Sequence, residues 1–259
     1  MKTKYIYCGD SVEILAQEFP DSSIHMVFAD PPYNLSGKGL KWEEKKYKMV
    51  NAAWDRMDSN EYREFTYQWI GECRRVLVDG GSIYICCTFH NLGEILVTVK
   101  EWGLEIRNLI TWYKPNAMPN MSTRMFTHST EFLVWATKGK GWTFHYERMK
   151  DLNPERQQNG KKKAMRDLWV LPSTPRRERI KKEDGTTLHP TQKPEALVER
   201  AVLASSNKGE IILDPFMGTG TTAVVAEKWG RSWAGIEKEE EYISYALKRL
   251  EGKRKSAKI

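Results

Sequence analysis

Short apolar runs that stop at turn-forming residues alternate along the chain with stretches of helical spacing. Tyr5-Ile6-Tyr7-Cys8 reads as a strand ending at Gly9-Asp10, and Ser11 to Phe19 places Val12, Leu15 and Phe19 at helical spacing, with Asp10 or Ser11 as N-cap. Pro20 to Ser23 turns the chain into Ile24-His25-Met26-Val27-Phe28-Ala29, a short apolar run that leads straight into prolines and so predicts a buried strand. Tyr62 to Leu77 is an amphipathic helix on Phe65, Trp69, Ile70 and Val76; Asp79-Gly80-Gly81 predicts a turn, and Ser82 to Cys87 a strand. A helix follows over Leu92–Trp102, then strands over Leu104–Tyr113 and Thr130–Thr137. Helix Glu195–Ser205, strand Ile211–Leu213, helix Ala223–Lys228, strand Ser232–Glu237 and a last helix from Glu240 to Leu250 complete the pattern, with a basic tail expected to fray. Strands alternating with helices predict an α/β, doubly wound sheet.

Two stretches break the alternation. Ser36 to Asn60 is Lys-rich, with little periodicity, and is long for a structureless connection; it reads either as a solvated loop or as a mobile loop (36–60) contacting a partner. Trp142 to Leu188 is also poorly periodic and holds clustered cations, Lys161, Lys162, Lys163, Arg176, Arg177 and Arg179, with Phe144, Tyr146 and Trp169 interleaved. It reads as a small region (142–188) inserted into a domain built from 1–141 and 189–259, suited to phosphates; the bland alternative is a solvated surface excursion. Arg124, in the polar stretch Asn120–His128, is a further phosphate candidate. A net charge of +7 agrees with a polyanionic partner and adds modest weight.

Composition narrows the chemistry. Cys8, Cys73, Cys86 and Cys87 lack metal-ligand spacing and read as reduced thiols, and no metal is expected. No apolar run is long enough for a bilayer and Met1 to Tyr5 has no leader pattern, so a cytosolic location is expected.

Two strand ends carry the candidate site. In Asp30-Pro31-Pro32-Tyr33 the prolines remove two donors, leaving carbonyls free to accept, while Asp30 adds a carboxylate and Tyr33 a flat ring. Acceptors beside an aromatic plate suit a planar group with an exocyclic amine, a nucleobase. Strand-Asp-Pro is also a common way to end a strand. Far along the chain, Asp214-Pro215-Phe216-Met217-Gly218-Thr219-Gly220-Thr221 places a glycine loop between strand and helix, where backbone approaches a ligand closely. No Gly-Lys-Ser/Thr follows, which argues against a P-loop. Glu237, 17 residues beyond Gly220, ends the next strand, where an acid holds ribose hydroxyls. Together they suit a ligand with an unphosphorylated ribose, and S-adenosylmethionine fits.

These motifs, with His189-Pro190-Thr191-Gln192-Lys193-Pro194 before a helix and Gly235-Ile236-Glu237, resemble the motif set of DNA adenine-N6 amino-methyltransferases. Their order, catalytic motif first and glycine loop near the C-terminus, resembles the circularly permuted β group. The resemblance spans nearly the whole chain except Gly37–Asn60 and Trp142–Leu188. It implies a Rossmann-like methyltransferase sheet with a target-recognition insertion. Asp30, Pro31, Pro32 and Tyr33 are then catalytic. Asp214, Phe216, Gly218, Gly220 and Thr221 line S-adenosylmethionine, Glu237 holds its ribose, Asp10 lies near its adenine, and Asp30 borders it. Thr191 and Lys193 meet its methionine end, although a solvent-facing lysine is the plain alternative for Lys193.

The implied reaction is direct methyl transfer to adenine N6, whose lone pair is sharpened by acceptors at Asp30 and a carbonyl near Pro31, with positioning as the main contribution. Neither Cys86 nor Cys87 follows a proline, as a cytosine-C5 nucleophile would. Within a duplex the base must flip out, with Tyr33 expected to stack on it. Cytosine-N4 enzymes share this design but usually carry Ser before Pro-Pro-Tyr; RNA adenine and protein-glutamine methyltransferases more often carry Asn. A DNA-binding protein without catalysis is disfavoured by the presence of Asp30, Tyr33, Gly218 and Glu237 together. Double-stranded DNA, a companion restriction endonuclease and a homodimer are the partners the resemblance implies.

Overall fold

The computed structural model describes residues 1–34, 57–120, 123–189 and 191–256. The loop expected over Ser36–Asn60 lies outside them up to position 56. Its last residues open a helix that starts at Ser59, because Asp58 and Glu61 form a capping box that satisfies both orphan ends of the first turn.

The strands are β1 (Tyr5–Cys8), β2 (Ile24–Ala29), β3 (Leu77–Cys87), β4 (Glu105–Tyr113), β5 (Thr130–Thr137), β6 (Leu168–Val170), β7 (Ile211–Asp214) and β8 (Ser232–Glu237). The helices are α1 (Ser11–Glu18), α2 (Ser59–Val76), α3 (Leu92–Glu101), α4 (Tyr146–Leu152), α5 (Glu195–Ser205), α6 (Thr221–Lys228) and α7 (Glu240–Ser256). These strands form one sheet in the order β1-β8-β7-β2-β3-β5-β4-β6. Among them only β5 runs antiparallel to its neighbours, and it returns from β4 without an intervening helix.

Both faces of the sheet are covered at its centre, so β2 and β7 are apolar almost throughout. Met26 and Phe28 of β2 pack with Leu197 and Val198 of α5, Val225 of α6 and Ala246 of α7. Val27 and Ala29 pack on the other face with Leu15 of α1, Trp69 of α2 and Ile95 of α3. The direction of winding reverses between β7 and β2, and at such a switch point the carboxyl ends of adjacent strands open a crevice. β1 pairs with β8, Cys8 opposite Glu237, so the first and last strands of the chain are neighbours, as the permuted motif order requires.

Two local expectations are corrected. Asp79, Gly80 and Gly81 do not form a turn ahead of the strand but lie inside it: β3 begins at Leu77 opposite Ile24, and Gly80 takes φ +78° where a Cβ would come within 2.9 Å of the Gly141 carbonyl. The tail after Leu250 stays helical to Ser256, with Lys253 on Glu195 at 3.2 Å and Arg254 on Glu227. Basic residues in a last turn also suit the helix dipole. The stretch from Trp142 to Leu188 is woven into the sheet: β6 pairs parallel with β4, Trp169 opposite Trp112, and Met149 of α4 packs on Leu203 and Ala204 of α5.

Candidate active site

A cavity of 530 Å³ opens at the carboxyl ends of β2 and β7. Its floor is the glycine loop. Asp214 accepts Phe216 N–H at 3.0 Å and the Thr222 hydroxyl at 2.5 Å, which closes the turn out of β7. Gly218 takes φ +49° and presents its N–H to Glu237 Oε2 at 2.7 Å, while Glu237 Oε1 accepts Glu239 N–H at 2.9 Å. Gly235 in β8 has no room for a side chain, since a Cβ would lie 1.9 Å from Met217 Sδ. Burial pushes the carboxyl of Asp214 up to about 7 against its hydrogen bonds from Thr222 and Phe216. Burial likewise raises Glu237, opposed by the backbone N–H groups it accepts.

Asp10, Thr191, Phe216, Gly218, Thr221 and Glu237 all line this cavity. Asp10 also caps α1, accepting Val12 N–H at 2.9 Å. Gly220 does not line it: at φ +77° it caps α6 and abuts Ala246 of α7, so its role is the turn itself. Thr221 donates to the Lys193 carbonyl at 3.3 Å and accepts from Arg249 at 3.0 Å, tying loop, α5 entry and α7 together. Phe216 packs edge-on against Trp69 (5.3 Å) and Phe65 (5.9 Å) of α2. The sequence pattern gives Phe65 only a core role, yet it lines the cavity, as does His189. Burial and then Lys193 lower His189 to about 4, so its imidazole is neutral at physiological pH.

At the rim, Asp30 to Tyr33 leave β2. Tyr62 of α2 donates to the Pro32 carbonyl at 3.1 Å and itself accepts from Asn91 at 2.8 Å, which fixes the turn. Lys193 does not point to open solvent but lines the cavity. It lies 2.8 Å from Asp30, and Tyr33 donates to Asp30 Oδ1 at 2.9 Å. Tyr33 therefore enters the site by its hydroxyl as well as its ring. Behind this cluster stand Glu131, near the start of β5, and Lys114, which pair at 2.7 Å. Sequence reasoning missed both. A Glu within an apolar strand, Thr130-Glu131-Phe132-Leu133, is the signal that was available.

The charged candidates separate by strand direction. Arg124 lies in the connection between β4 and β5, at the carboxyl edge, beside Met125 and a Phe126 that is 96% exposed. Arg176, Arg177 and Arg179 follow the carboxyl end of β6, and Arg179 shares a smaller cleft with Lys114, Glu131 and Lys193. Lys161, Lys162 and Lys163 precede β6. They sit in a hairpin bridged between Arg156 and Lys162, and Asn153 holds the Lys163 carbonyl at 3.1 Å. The nearby Met165 packs with Leu203, Ala204 and Trp229, where α5 and α6 end. That is the opposite, amino edge of the sheet.

A doubly wound sheet with a glycine loop, a strand-end acid and a cavity at the switch point fits the class of S-adenosylmethionine-dependent methyltransferases. The cavity suits that cofactor by its apolar walls (Phe28, Val198, Phe216, Ile236), by the carboxylates of Asp10 and Glu237 among those that line it, and by its volume. The chain belongs to the DNA methylase family, whose N6/N4 methyltransferase model matches residues 24–248. It is 39% identical over 248 residues to the type II methyltransferase M2.MboI of Moraxella bovis, covering 94% of this chain and 86% of that protein. It is 41% identical over 248 residues to M2.DpnII of Streptococcus pneumoniae, covering 94% and 88%. Among solved structures, the M1.HpyAVI–SAM complex superposes with a TM-score of 0.67 at 27% identity, covering 95% of this chain and 98% of that one. The cytosine-N4-specific PvuII DNA methyltransferase shares the fold, with a TM-score of 0.72 at 20% identity, covering 95% and 88%.

Proposed function

We propose that this DNA methyltransferase acts on the N6 amino group of an adenine flipped out of duplex DNA. The observation that carries the reading is Asp30, a carboxylate fixed at the carboxyl end of β2 on the rim of the cofactor cavity. S-adenosylmethionine supplies an electrophilic methyl group when bound. In this reading Glu237 takes its ribose, Asp10 its adenine end and Thr191 its methionine end, which their common position on the cavity wall supports. Asp30 and a proline carbonyl accept the two amino hydrogens of the target base and orient its nitrogen lone pair; the site's main contribution is that geometry. Tyr33 borders the space where the base would stack.

Phosphate contacts fall to Arg124, Arg176, Arg177 and Arg179 at the carboxyl edge, since a flipped base must enter from there. A companion restriction endonuclease is part of the same reading. A homodimer is testable by light scattering, where a mass near 30.1 kDa would reject it.

The decisive experiment is mass spectrometry of nucleosides from unmethylated plasmid DNA incubated with the protein and labelled S-adenosylmethionine. Labelled N6-methyladenine is expected. Labelled N4-methylcytosine would overturn the reading of Asp30, and label confined to RNA or protein would overturn the choice of polymer.

A further inference from the structure

Asp30 is already occupied. Lys193 lies 2.8 Å from it and Tyr33 2.9 Å, so a carboxylate that must accept an amino hydrogen is engaged by an ammonium and a phenol of its own site. Lys193 is 7% exposed and Tyr33 is largely covered, so neither turns to water on release. A buried donor set free without a new acceptor bears its full desolvation cost, most of all a charged one. One neighbouring acceptor is placed for both. Glu131 Oε2 stands 3.4 Å from the Tyr33 hydroxyl and 3.8 Å from Lys193 Nζ. Its other oxygen, Oε1, is taken by Lys114 at 2.7 Å.

We propose that Glu131 is a positioning residue that receives Lys193 and Tyr33 from Asp30 when the target amino group arrives. This inference rests on the proposed role of Asp30. A movement of about 1 Å brings both donors within hydrogen-bond range of Oε2. Lys114 keeps Glu131 ionised and in place: burial works against its charge, but Lys193 and Lys114 outweigh it and hold the carboxyl below its ordinary value. Asp30 is pushed the other way, raised by burial and by Glu131 against the pull of Lys193 and Tyr33. Cys86 and Cys87 also border the cluster, and burial pushes both thiols up, so they stay neutral. The cluster thus carries two acids and two lysines, with Arg179 in the adjoining cleft and a neutral His189 beside Lys193, and the transfer moves a counter-charge without creating a net one.

The test is Glu131→Gln, which keeps the shape and removes the charge. Expected is a kcat about tenfold lower or more, with KM for DNA and the Kd for S-adenosylmethionine each within about twofold. The acid limb of the kcat–pH profile should move to lower pH, because a negative neighbour that raises Asp30 is gone. Glu131→Asp should recover part of kcat. A 2-aminopurine at the target position should brighten equally with variant and wild type, showing that flipping is intact. Unchanged kcat, or a loss confined to KM or to flipping, would overturn the proposal. Where Glu131→Gln does not fold, Lys114→Met, which frees the Glu131 carboxylate from its partner, is read by kcat, KM and flipping alone. Failure of wild-type protein to label adenine would count against the proposed target, and is seen without any variant.

Discussion

At the carboxyl edge of the sheet, Asp30, Lys193, Glu131 and Lys114 have side chains 19%, 7%, 18% and 16% exposed. At the amino edge, Lys162 and Asp151 pair with side chains 50% and 60% exposed, and Lys163 and Glu155 with 37% and 51%. Both are arrays of opposite charges, yet they do different physical work. Solvated pairs are screened and add little to stability, and their members remain individually replaceable. Sequestered charges lean on one another, and removing one leaves its partner uncompensated. Charge that costs folding energy is the charge to connect with chemistry, while charge that costs nothing carries little information about function.

The largest expected effect is at the heart of the first array. Asp30→Ala removes the acceptor for the amino group and should lower kcat by about a hundredfold or more. Glu131 can still compensate Lys193, so the fold should survive, as a thermal melt would show. Modification of DNA at the wild-type rate would place the chemistry elsewhere and erase the contrast between the edges.

Next come the arginines. Replacing Arg176, Arg177 and Arg179 by Ala should weaken DNA binding, and the slope of log K against log salt should shrink by about 0.9 for each phosphate no longer neutralised. A titration at several salt concentrations gives the number directly. An unchanged slope would mean the duplex does not lie along the carboxyl edge of β6.

A smaller effect sharpens the claim that this edge is costly. Asp214, raised by burial to about 7, supports the fold while protonated, and that support is lost as pH rises through the folded value. Its unfolded value is near 4, so the loss falls between about pH 4 and pH 7. Asp214→Asn keeps an acceptor for Phe216 N–H and cannot ionise. Its Tm minus that of wild type should therefore become more positive from about pH 5, inside that window, to about pH 8, just above it. A difference independent of pH would show that Asp214 is not strained by its charge.

The motifs at Asp30 and Asp214 are legible in sequence because strand, turn and acid are adjacent in the chain, and burial follows from the apolar run before them. Glu131 is not legible, since it meets Tyr33 across 98 positions and only the sheet register brings them together. The same limit hides the parting of the two basic clusters. Lys161–Lys163 and Arg176–Arg179 belong to one poorly periodic stretch and look alike by composition. What separates them is Leu168-Trp169-Val170, a strand of three residues, anchored by Trp169 in the core. Three residues are too few to show a period, so the direction of the chain through this stretch waits on its pairing with β4. Gly80 fails for a related reason: a glycine pair signals a turn locally, and only the neighbouring Lys138 and Gly141 show that it lies within a paired strand.

The smallest expected effect is the one that most directly breaks the comparison. Replacing Lys161, Lys162 and Lys163 together by Gln removes as much positive charge as the arginine variant does. If net charge alone draws DNA to this protein, the two variants lose affinity equally and their salt slopes fall alike. If position decides, the lysine variant binds within about twofold of wild type at each salt concentration, because charges beyond a Debye length of roughly 8 Å are screened at physiological ionic strength. Thermal stability should barely move either, since Lys162 and Lys163 pair with exposed partners. Equal loss in both variants would mean that DNA wraps from one edge to the other, or that a second copy of the chain brings the lysines to the duplex. Light scattering of the complex tells those two apart, because only the latter doubles the mass of protein per site.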